Sequence, residues 1–556
     1  MTETKPAINS FYPFFQRISP ENAERTMPFL QRVLDAWENG HSFIELNEEE
    51  QALALGLSPL IGVADEKQAL LLLQDNRLFL HKIYDFEYTL ACRLYDLCAT
   101  PLIWAEEGDL LQEYFSENSD NPLIIKSNLQ QKNAVKNALR SRFSLISGGP
   151  GTGKTTTVAK LLALLCHQAK TLPRIALSAP TGKAAAHLQQ SLMKGLERIS
   201  FRQPEIKTHL LQLQGQTLHR LLKIYPPFYQ SEYNQQNPLP YDIVIIDESS
   251  MIELNIAYQL FNAIGKNTRL ILLGDKDQLP SVGAGAVLEQ ISQIDEKSVL
   301  SDCISHLTVS RRFDENSGIG VLASAIIEHN PEKALNCFQQ FSNEIIQKND
   351  SQQLCEEYYH LQKDYWQAIE EKNINKAFEL FYNTMVLCVL RYDAQRFNRQ
   401  FLDFLMHKGH GKGFFNGKAI MITENNVTLD IYNGDIGIVF DKKVYFPNYQ
   451  GDIKAIEPAR INHFEDAFAI TVHKSQGSEY NHIFLITPKK YIEDEEQNSE
   501  KIFDRSLLYT AVTRSKKTFC YIGDDLSLQN AILRQNKRRS LLKQLAMNHE
   551  QLAMSN

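Results

Sequence analysis

The segment from Gly148 to Thr155 carries the strongest chemical signal in the chain. It reads GGPGTGKT and matches the pattern G-x-x-x-x-G-K-[ST]. In such a loop, backbone N–H groups point at phosphate oxygens, Lys154 reaches the β- and γ-phosphates, and the Thr155 hydroxyl ligates Mg²⁺. A β-rich run precedes the loop and an apolar helical pattern follows it. The segment therefore predicts a site for ATP and Mg²⁺.

A pair of acids follows the apolar run Ile243–Ile246. Four consecutive β-branched residues predict a buried parallel strand, and Asp247 and Glu248 stand at its carboxyl end. Downstream of a phosphate loop, Asp247 is expected to hold the Mg²⁺ shell and Glu248 to polarise the attacking water. Lys154, Asp247 and Glu248 are thus predicted to be catalytic, with Thr155 and Asp247 as the metal ligands.

Two glutamines complete the predicted nucleotide site. Gln278 follows an apolar strand within LILLGDKDQLPSVGAG, where an amide can sense the γ-phosphate. Gln131, in QKNAV before the first strand, can hydrogen-bond an adenine edge. The residues predicted to contact the nucleotide are Gln131, Gly148, Gly149, Pro150, Gly151, Thr152, Gly153, Lys154, Thr155 and Thr156.

Two arginines far along the chain are the remaining catalytic candidates. Arg312 lies in LTVSRRF and Arg514 in LYTAVTRSK, both in what the pattern indicates as a second lobe. A γ-phosphate held between two lobes needs positive charge from the opposite face, and such arginines contribute about 10³–10⁵ in rate. Arg312 and Arg514 are predicted to fill this role, with Arg311 the alternative to Arg312.

Three further segments combine hydroxyl, basic and amide groups: SAPTGKAAAHL, QTLHRLL and AITVHKSQGSEY. Such groups suit contacts to a phosphodiester backbone, which position a strand without reading its sequence. The residues predicted to bind DNA are Pro180, Thr181, Lys183, Thr217, His219, Thr471, His473 and Lys474.

A parallel α/β architecture is needed to bring these segments together. From about Ser127, apolar strands alternate with helical segments, which is typical of a parallel sheet. The predicted strands are Phe143–Ser147, Arg174–Ser178, Ile243–Ile246 and Arg269–Leu273.

The other regions have different patterns. Residues 412–462 contain short strand patterns around Asn433-Gly434 and predict a small β-barrel insert. Residues 330–380 are predicted to be helix-rich, with Trp366 in the core. Residues 1–120 are predicted to be mainly helical, including the run Leu70–Leu73, and the acidic stretch Glu106–Asp120 is predicted to be a linker.

Charge is distributed unevenly over the 556 residues. The net charge is −8, yet residues 1–120 carry 8 basic and 21 acidic side chains, and the remaining residues carry 50 basic and 45 acidic ones. A polyanion would be repelled by the first region and tolerated by the rest. The first region is therefore expected to face a protein rather than nucleic acid.

Cysteine usage and hydropathy predict a cytoplasmic location. The eight cysteines contain no C-x-x-C pair, which favours reduced thiols over a disulfide framework or a zinc site. No apolar run reaches the roughly 18 residues that span a bilayer. The first ten residues lack the pattern of a signal peptide.

The ordered set of segments resembles superfamily 1 helicases and, more narrowly, the RecD family of alpha subunits of bacterial exodeoxyribonuclease V (RecBCD). The resemblance runs from about Gln131 to Lys517. It departs from the family in VLRYDAQRFN and in the acidic loop EDEEQNSE. The segments that carry it are SGGPGTGKTTTVAKLL, APTGKAAA, IIDESSMI, LLGDKDQL, SRRFDENSGIG, YNGDIGI, TVHKSQGSE and LYTAVTRS.

The resemblance implies two RecA-like P-loop NTPase domains with parallel sheets, a small SH3-like β insert and 5′→3′ movement on single-stranded DNA. It also implies partners that resemble the RecB and RecC subunits, with nuclease activity supplied by a partner and the N-terminal region docking on the RecC-like subunit. The predicted units are an N-terminal domain (1–120), a first RecA-like domain (121–300), a second (301–411 and 463–535), the insert (412–462) and a basic tail (536–556).

Two other functions are compatible with the same residues. One is a stand-alone helicase of the same superfamily that acts on plasmid DNA or RNA. The other is an interaction subunit whose nucleotide binding only shapes a complex. The presence of Asp247, Glu248 and both arginines argues against the second, because nucleotide binding alone requires none of them.

Overall fold

The computed structural model describes residues 10–63, 69–99, 102, 108–115, 120–295, 298–312, 317–351, 353–426, 428–447, 453–488 and 502–555. The acidic loop EDEEQNSE and the FDEN part of SRRFDENSGIG lie outside the described residues. Within the described residues, no helix combines the length and apolar character needed to cross a membrane.

The N-terminal region combines helices with a four-stranded sheet of order β1-β4-β3-β2. The run Leu70–Leu73, predicted to be helical, lies instead largely in strand β3, so this prediction is wrong. Leu71 and Leu73 pack into one hydrophobic core while Leu72 packs into another, and covering both faces removes the alternation that marks a strand. The elements are α1 (Tyr12–Ile18), α2 (Ala23–Glu38), β1 (Phe43–Glu45), α3 (Glu48–Leu55), β2 (Ile61–Val63), β3 (Leu71–Gln74), β4 (Arg77–Leu80), α4 (His81–Cys98) and α5 (Gly108–Tyr114).

The first RecA-like domain is built on six parallel strands in the order β10-β5-β9-β8-β6-β7. All four predicted strands are confirmed to within one residue at each end. The strands are β5 (Phe143–Gly148), β6 (Ile175–Ala179), β7 (Gly215–Thr217), β8 (Ile243–Ile246), β9 (Arg269–Gly274) and β10 (Ile304–Leu307). The helices are α6 (Pro122–Arg140), α7 (Lys154–Gln168), α8 (Gly182–Glu197), α9 (Pro204–Leu211), α10 (Leu218–Leu222), α11 (Leu254–Ala263) and α12 (Val287–Ser292), with 3-10 turns at Ser249–Met251 and Val299–Cys303.

The second RecA-like domain has five parallel strands in the order β11-β20-β19-β12-β18. Residues 330–380 are rich in helix and Trp366 is 5% exposed, as predicted. The strands are β11 (Ile345–Lys348), β12 (Thr384–Cys388), β18 (Ala469–Thr471), β19 (Tyr480–Ile486) and β20 (Ser515–Ile522). The helices are α13 (Gly318–Ile327), α14 (Pro331–Gln340), α15 (Leu354–Leu361), α16 (Lys363–Glu370), α17 (Ile374–Phe381), α18 (Arg391–His407), α19 (Arg505–Thr513) and α20 (Asp525–Leu533), with a 3-10 turn at His473–Ser475.

The predicted β insert is an antiparallel sheet of order β16-β15-β14-β13-β17 with its own apolar core. Gly434 adopts a left-handed φ of +91° in the predicted turn. The insert reaches Asp466 rather than residue 462, because β17 pairs with β13. Its strands are β13 (Ala419–Ile422), β14 (Ile436–Phe440), β15 (Lys443–Pro447), β16 (Ile453–Ile456) and β17 (Phe464–Asp466), with a 3-10 turn at Pro458–Arg460.

Two predicted domain boundaries differ from the structure because distant segments complete the first domain. Strand β10, placed beyond the boundary at residue 300, pairs with β5. Helix α4, placed in the N-terminal domain, shares a hydrophobic core with β5, β8 and β9 of the first sheet. These contacts join segments that are far apart in sequence, which local patterns do not reveal.

The segment predicted to be a linker and the basic tail both contain a helix. The Glu106–Asp120 stretch contains α5, whose Leu110 and Leu111 pack against α7, so its described part is not a simple linker. The basic tail contains α21 (Leu542–Ser555), and its Leu542 lies in the core shared by α4 and the first sheet. Burial of a few apolar side chains in each segment stabilises helices that their charged composition does not suggest.

Candidate active site

The phosphate loop joins the end of β5 to the start of α7. Gly151 and Gly153 have left-handed φ angles of +77° and +87°. A Cβ at Gly148 would lie 2.6 Å from the Leu307 carbonyl oxygen, and one at Gly153 would lie 2.3 Å from Gln131 Nε2. The loop leads into the N-terminus of the 15-residue helix α7, and a helix N-terminus favours bound anions.

Lys154 occupies the position expected of a phosphate ligand. Its Nζ donates to the carbonyl oxygens of Gly148 at 2.5 Å and Gly149 at 3.3 Å. Thr155 and Thr156 follow in the first turn of α7 and are partly buried. The Lys154 ammonium thus lies within the loop, where it can meet the β- and γ-phosphates.

The two acids lie where the sequence predicts them, at the carboxyl end of β8. Burial, reinforced by the negative charge of Glu248, raises the pKa of Asp247 to about 6, and the positive charge of Lys154 opposes this shift. The Glu248 N–H donates to Asp247 Oδ1 at 2.8 Å, and Glu248 has a left-handed φ of +51°. Lys154 is therefore close enough to Asp247 for the two charges to interact.

Mg²⁺ fits the donor groups at this site. Asp247 supplies a hard carboxylate oxygen and Thr155 a hydroxyl, and Mg²⁺ commonly takes its remaining ligands from phosphates and water. Among the described residues no cluster of three or more His, Cys, Asp or Glu side chains could hold a metal ion.

Gln131 packs against the phosphate loop from α6. Its Nε2 donates to the Thr152 carbonyl oxygen at 3.1 Å. Its Oε1 is buried and accepts no hydrogen bond from the described residues. A buried carbonyl oxygen without a donor is costly, and an adenine amino group would satisfy it.

A cleft of about 800 Å³ extends from the loop between the two RecA-like domains. The first domain contributes loop residues and Asp275, and the second contributes α13 and two residues one turn apart on α19, Tyr509 and Thr513. The cleft is thus large enough for a nucleotide and has walls on both lobes.

Gln278 is hydrogen-bonded to residues of both lobes. Its Nε2 donates to Asp275 Oδ2 at 3.1 Å, and its Oε1 accepts from Arg514 Nη2 at 2.6 Å. Arg514 is 3% exposed and also donates to the Ser478 carbonyl oxygen. The predicted γ-phosphate sensor and the predicted arginine of the second lobe are therefore in direct contact.

Arg312 is also close to the loop, but the expectation that it belongs to the second lobe is wrong. It follows β10, and its Cβ is 2.4 Å from the position that a Cβ on Gly151 would take. Its Nη1 reaches across to Glu479 Oε1 of the second domain at 2.6 Å. Burial disfavours ionisation of Glu479, yet the charges of Arg312 and Lys516 lower its pKa to about 2.

Arg311, the alternative to Arg312, has a different role. Its backbone N–H donates to the Gly151 carbonyl oxygen at 2.9 Å. Its guanidinium donates to Ser127 and Asn128 on α6. Arg311 therefore fastens the segment after β10 to the first domain, and Arg312 is the arginine that spans the lobes.

Most of the predicted DNA contacts in the first domain lie at helix starts. Thr181 and Thr217 cap α8 and α10, with their hydroxyl oxygens accepting from backbone N–H groups. Pro180 precedes the first cap, and His219 lies in α10, where burial lowers its pKa. Lys183 differs, because its Nζ lies 4.1 Å from the ring centroid of Tyr382 in the second domain.

The predicted contacts of the second domain lie opposite. Thr471 ends β18, and His473 and Lys474 form the 3-10 turn that follows. Lys474 is paired with Glu465 of the insert, and burial lowers the pKa of His473. Gly477 of this loop has a φ of +72°. A Cβ added to Gly477 would lie 3.2 Å from Ala184 Cβ. The loop after β18 therefore contacts α8 of the first domain.

Tyr509 and Thr510 are site residues that sequence reasoning missed. The Tyr509 hydroxyl donates to Asp275 Oδ2 at 3.1 Å, and the Leu279 N–H donates to Thr510 Oγ1 at 2.9 Å. Their position on the helix that carries Arg514 was the available signal.

Comparison with known proteins identifies the family. Two family profiles match, an AAA domain over residues 131–284 and a UvrD-like helicase C-terminal domain over residues 466–519. The RecBCD enzyme subunit RecD of Haemophilus influenzae is 33% identical over 78% of this chain and 74% of that protein. The RecD subunit of Mycolicibacterium smegmatis is 34% identical over 74% of each chain. The solved structure of Bacteroides Pif1 bound to single-stranded DNA has a TM-score of 0.39 and 17% identity, covering 78% of this chain and 97% of that one. The identity and coverage of the two RecD subunits show that this chain belongs to the RecD family.

Proposed function

We propose that the chain is the ATP-dependent 5′→3′ DNA helicase subunit of a RecBCD-like complex. The relatives named above are RecBCD enzyme subunits, which supports the assignment. The observation that carries it is the contact of Arg514 with Gln278, because it joins the second lobe to the predicted γ-phosphate sensor of the first.

Each predicted catalytic residue has a role in ATP hydrolysis. The loop amides and Lys154 bind the β- and γ-phosphates, and Glu248 orients the attacking water. Thr155 and Asp247 would hold Mg²⁺, which would neutralise charge on the phosphate oxygens. Arg514 from the second lobe and Arg312 from the segment after β10 stabilise the charge that develops on the γ-phosphate.

Movement along DNA follows from the position of the cleft between the lobes. Arg514 and Arg312 both contact residues of the opposite lobe, so nucleotide binding and release change how the lobes meet. The predicted DNA contacts lie on both lobes, and Lys183 of the first contacts Tyr382 of the second. Opening and closing would therefore shift one set of contacts relative to the other along the strand.

The partners and the location belong to the same proposal. The acidic N-terminal region docks on a RecC-like subunit, and a RecB-like subunit supplies the nuclease. The location is cytoplasmic, which is supported by all eight cysteines being described and none forming a disulfide.

DNA-stimulated ATP hydrolysis tests the enzymatic part. Lys154→Ala should reduce turnover by at least about 100-fold, because the γ-phosphate loses its ammonium ligand. Lys170→Ala, which changes an exposed lysine beyond α7, should leave turnover unchanged. Full turnover in the Lys154 variant would refute the proposal.

Purification from the native cell tests the partners and polarity. The chain should co-purify with two larger subunits, and the purified assembly should unwind duplexes with a 5′ overhang faster than those with a 3′ overhang. A monomer that is fully active alone would favour the stand-alone helicase instead.

A further inference from the structure

The segment that follows α20 passes beside the loop that contains Gln278. Arg538 Nη1 donates to the carbonyl oxygens of Gly283 at 2.6 Å and Gly285 at 3.3 Å. These residues lie at the end of the segment Leu279–Gly285, which we call the sensor loop because it directly follows Gln278. A single guanidinium thus holds two backbone carbonyls of one turn.

The N-terminal region holds the sensor loop at the same point. The Gly285 N–H donates to the Gly40 carbonyl oxygen at 3.2 Å. Gly40 has a left-handed φ of +84°, and a Cβ there would lie 2.8 Å from Arg538 Nε. Gly40 therefore provides both a hydrogen bond to the loop and the space that the Arg538 side chain occupies.

Arg538 is fixed in turn by the N-terminal region. The Ser42 N–H donates to the Arg539 carbonyl oxygen at 2.8 Å. Glu87 of α4, which is fully buried, accepts from the Ser42 and Ser540 hydroxyls and from the Leu541 N–H. The backbone on both sides of Ser540 is thus hydrogen-bonded to the acidic N-terminal region.

The other end of the sensor loop is held by the second lobe. The Leu279 N–H donates to Thr510, and Gln476 Nε2 donates to the Leu279 carbonyl oxygen at 3.0 Å. The preceding residue, Gln278, accepts from Arg514. A short loop thus separates the contact with the N-terminal region from the contact with the catalytic arginine.

We propose that Arg538 is a positioning residue for ATP hydrolysis, which holds the sensor loop so that Gln278 meets Arg514 and thereby links the N-terminal region to the ATP site. The inference rests on the proposed function. The Arg538 side chain lies among the charges of Glu253, Glu289 and Asp504, which favour its position. Asp504 caps α19, the helix that carries Tyr509.

The test uses the purified complex, single-stranded DNA at saturation and varied ATP. Arg538→Ala should lower kcat about fivefold or more while the KM for ATP changes less than about twofold. Arg538→Lys keeps one donor and should recover part of the loss. Arg539→Ala is the matched control, because the Arg539 side chain is exposed, and it should have wild-type kcat.

Gly40→Ala provides an independent perturbation. Its added methyl displaces the Arg538 guanidinium, so it should lower kcat in the wild-type background and not lower it further in Arg538→Ala. Equal kcat for the Arg538 and Arg539 alanine variants overturns the inference. A fall in kcat that comes with a comparable rise in KM and a lower melting temperature also overturns it. Lys154→Ala tests the proposed ATPase function itself. Full turnover in that variant would refute the proposed function, and this outcome is distinguishable from both results for the Arg538 variants.

Discussion

Arg514 Nη2 of the second RecA-like domain donates to Gln278 Oε1 of the first at 2.6 Å, and both side chains are buried. Asp275 accepts from the amide of the same glutamine, so Gln278 is held from both lobes. A buried charged hydrogen bond of this kind is strongly orientation-dependent. The contact therefore depends on how the two lobes are placed.

Arg514→Lys should lower kcat by about 100-fold or more with little change in the KM for ATP, since lysine keeps the charge but loses the planar donors. The measurement is steady-state ATPase with saturating single-stranded DNA. Adding Gln278→Ala should lower kcat by a smaller factor in the Arg514→Lys variant than in the wild type, because the two side chains act as one unit. Lys517→Ala, an exposed change nearby, serves as control. Fully additive losses would contradict the coupling.

Tyr509→Phe removes the hydroxyl that donates to Asp275 and leaves the ring in place. The hydrogen bond contributes about 1 kcal/mol, so turnover should fall about fivefold while the protein stays folded. The decisive measurement is the ratio of DNA-stimulated to basal ATPase, which should fall with kcat. An unchanged ratio would show that Tyr509 only fills space in the cleft.

Gly153→Ala should abolish nucleotide binding, because the new methyl lies 2.3 Å from Gln131 Nε2 and φ is +87°. Gly434→Ala is the matched control, since its φ is +91° and nothing lies within 4 Å of the added Cβ. Binding of a fluorescent ATP analogue measures the difference. Similar affinities in the two variants would contradict the role assigned to the tight contact at Gly153.

Lys183 predicts a pH dependence. Burial lowers its pKa from 10.5 to about 7, and the charge of Asp435 opposes the shift. Between these values the unfolded chain binds a proton that the folded chain does not, so the free energy of unfolding contributed by this group rises with pH. Below about pH 7 the ionised lysine destabilises the fold.

Lys183→Met removes that dependence. At about pH 6 it should raise the free energy of unfolding by about 1 kcal/mol or more, and the gain should shrink as pH approaches the ordinary lysine range. Denaturant unfolding at several pH values checks this. The same variant should bind single-stranded DNA more weakly if Lys183 contacts phosphate, with a smaller salt dependence. A stability gain that is constant with pH would contradict the assigned pKa.

Local patterns sufficed wherever the chemistry is contiguous. Each of the predicted features in the first domain depends on neighbouring residues. The four predicted strands form part of the first sheet, and the phosphate loop and the two acids follow the carboxyl ends of β5 and β8. Gln131 contacts the phosphate loop from α6, and Gln278 follows β9 and contacts Asp275 and Arg514, while their roles toward the nucleotide stay predictions.

Local patterns failed where a segment is stabilised by a distant one. Leu71–Leu73 forms a strand because both of its faces are covered, and β10 completes the first sheet although it follows 30 residues after β9. The same reason separates Arg311 from Arg312, since only the path of the chain after β10 turns one toward α6 and the other toward Glu479.

The amino-acid sequence alone determined that this chain binds a nucleoside triphosphate, because glycine spacing, a lysine and paired acids are requirements of the chemistry itself. The sequence also indicated a motor protein with two lobes. Only the tertiary structure decided that Tyr509 and Arg514 meet Asp275 and Gln278, and that Arg538 reaches the sensor loop. Those contacts join residues more than 200 positions apart, and their distances follow from how the domains pack rather than from any local pattern.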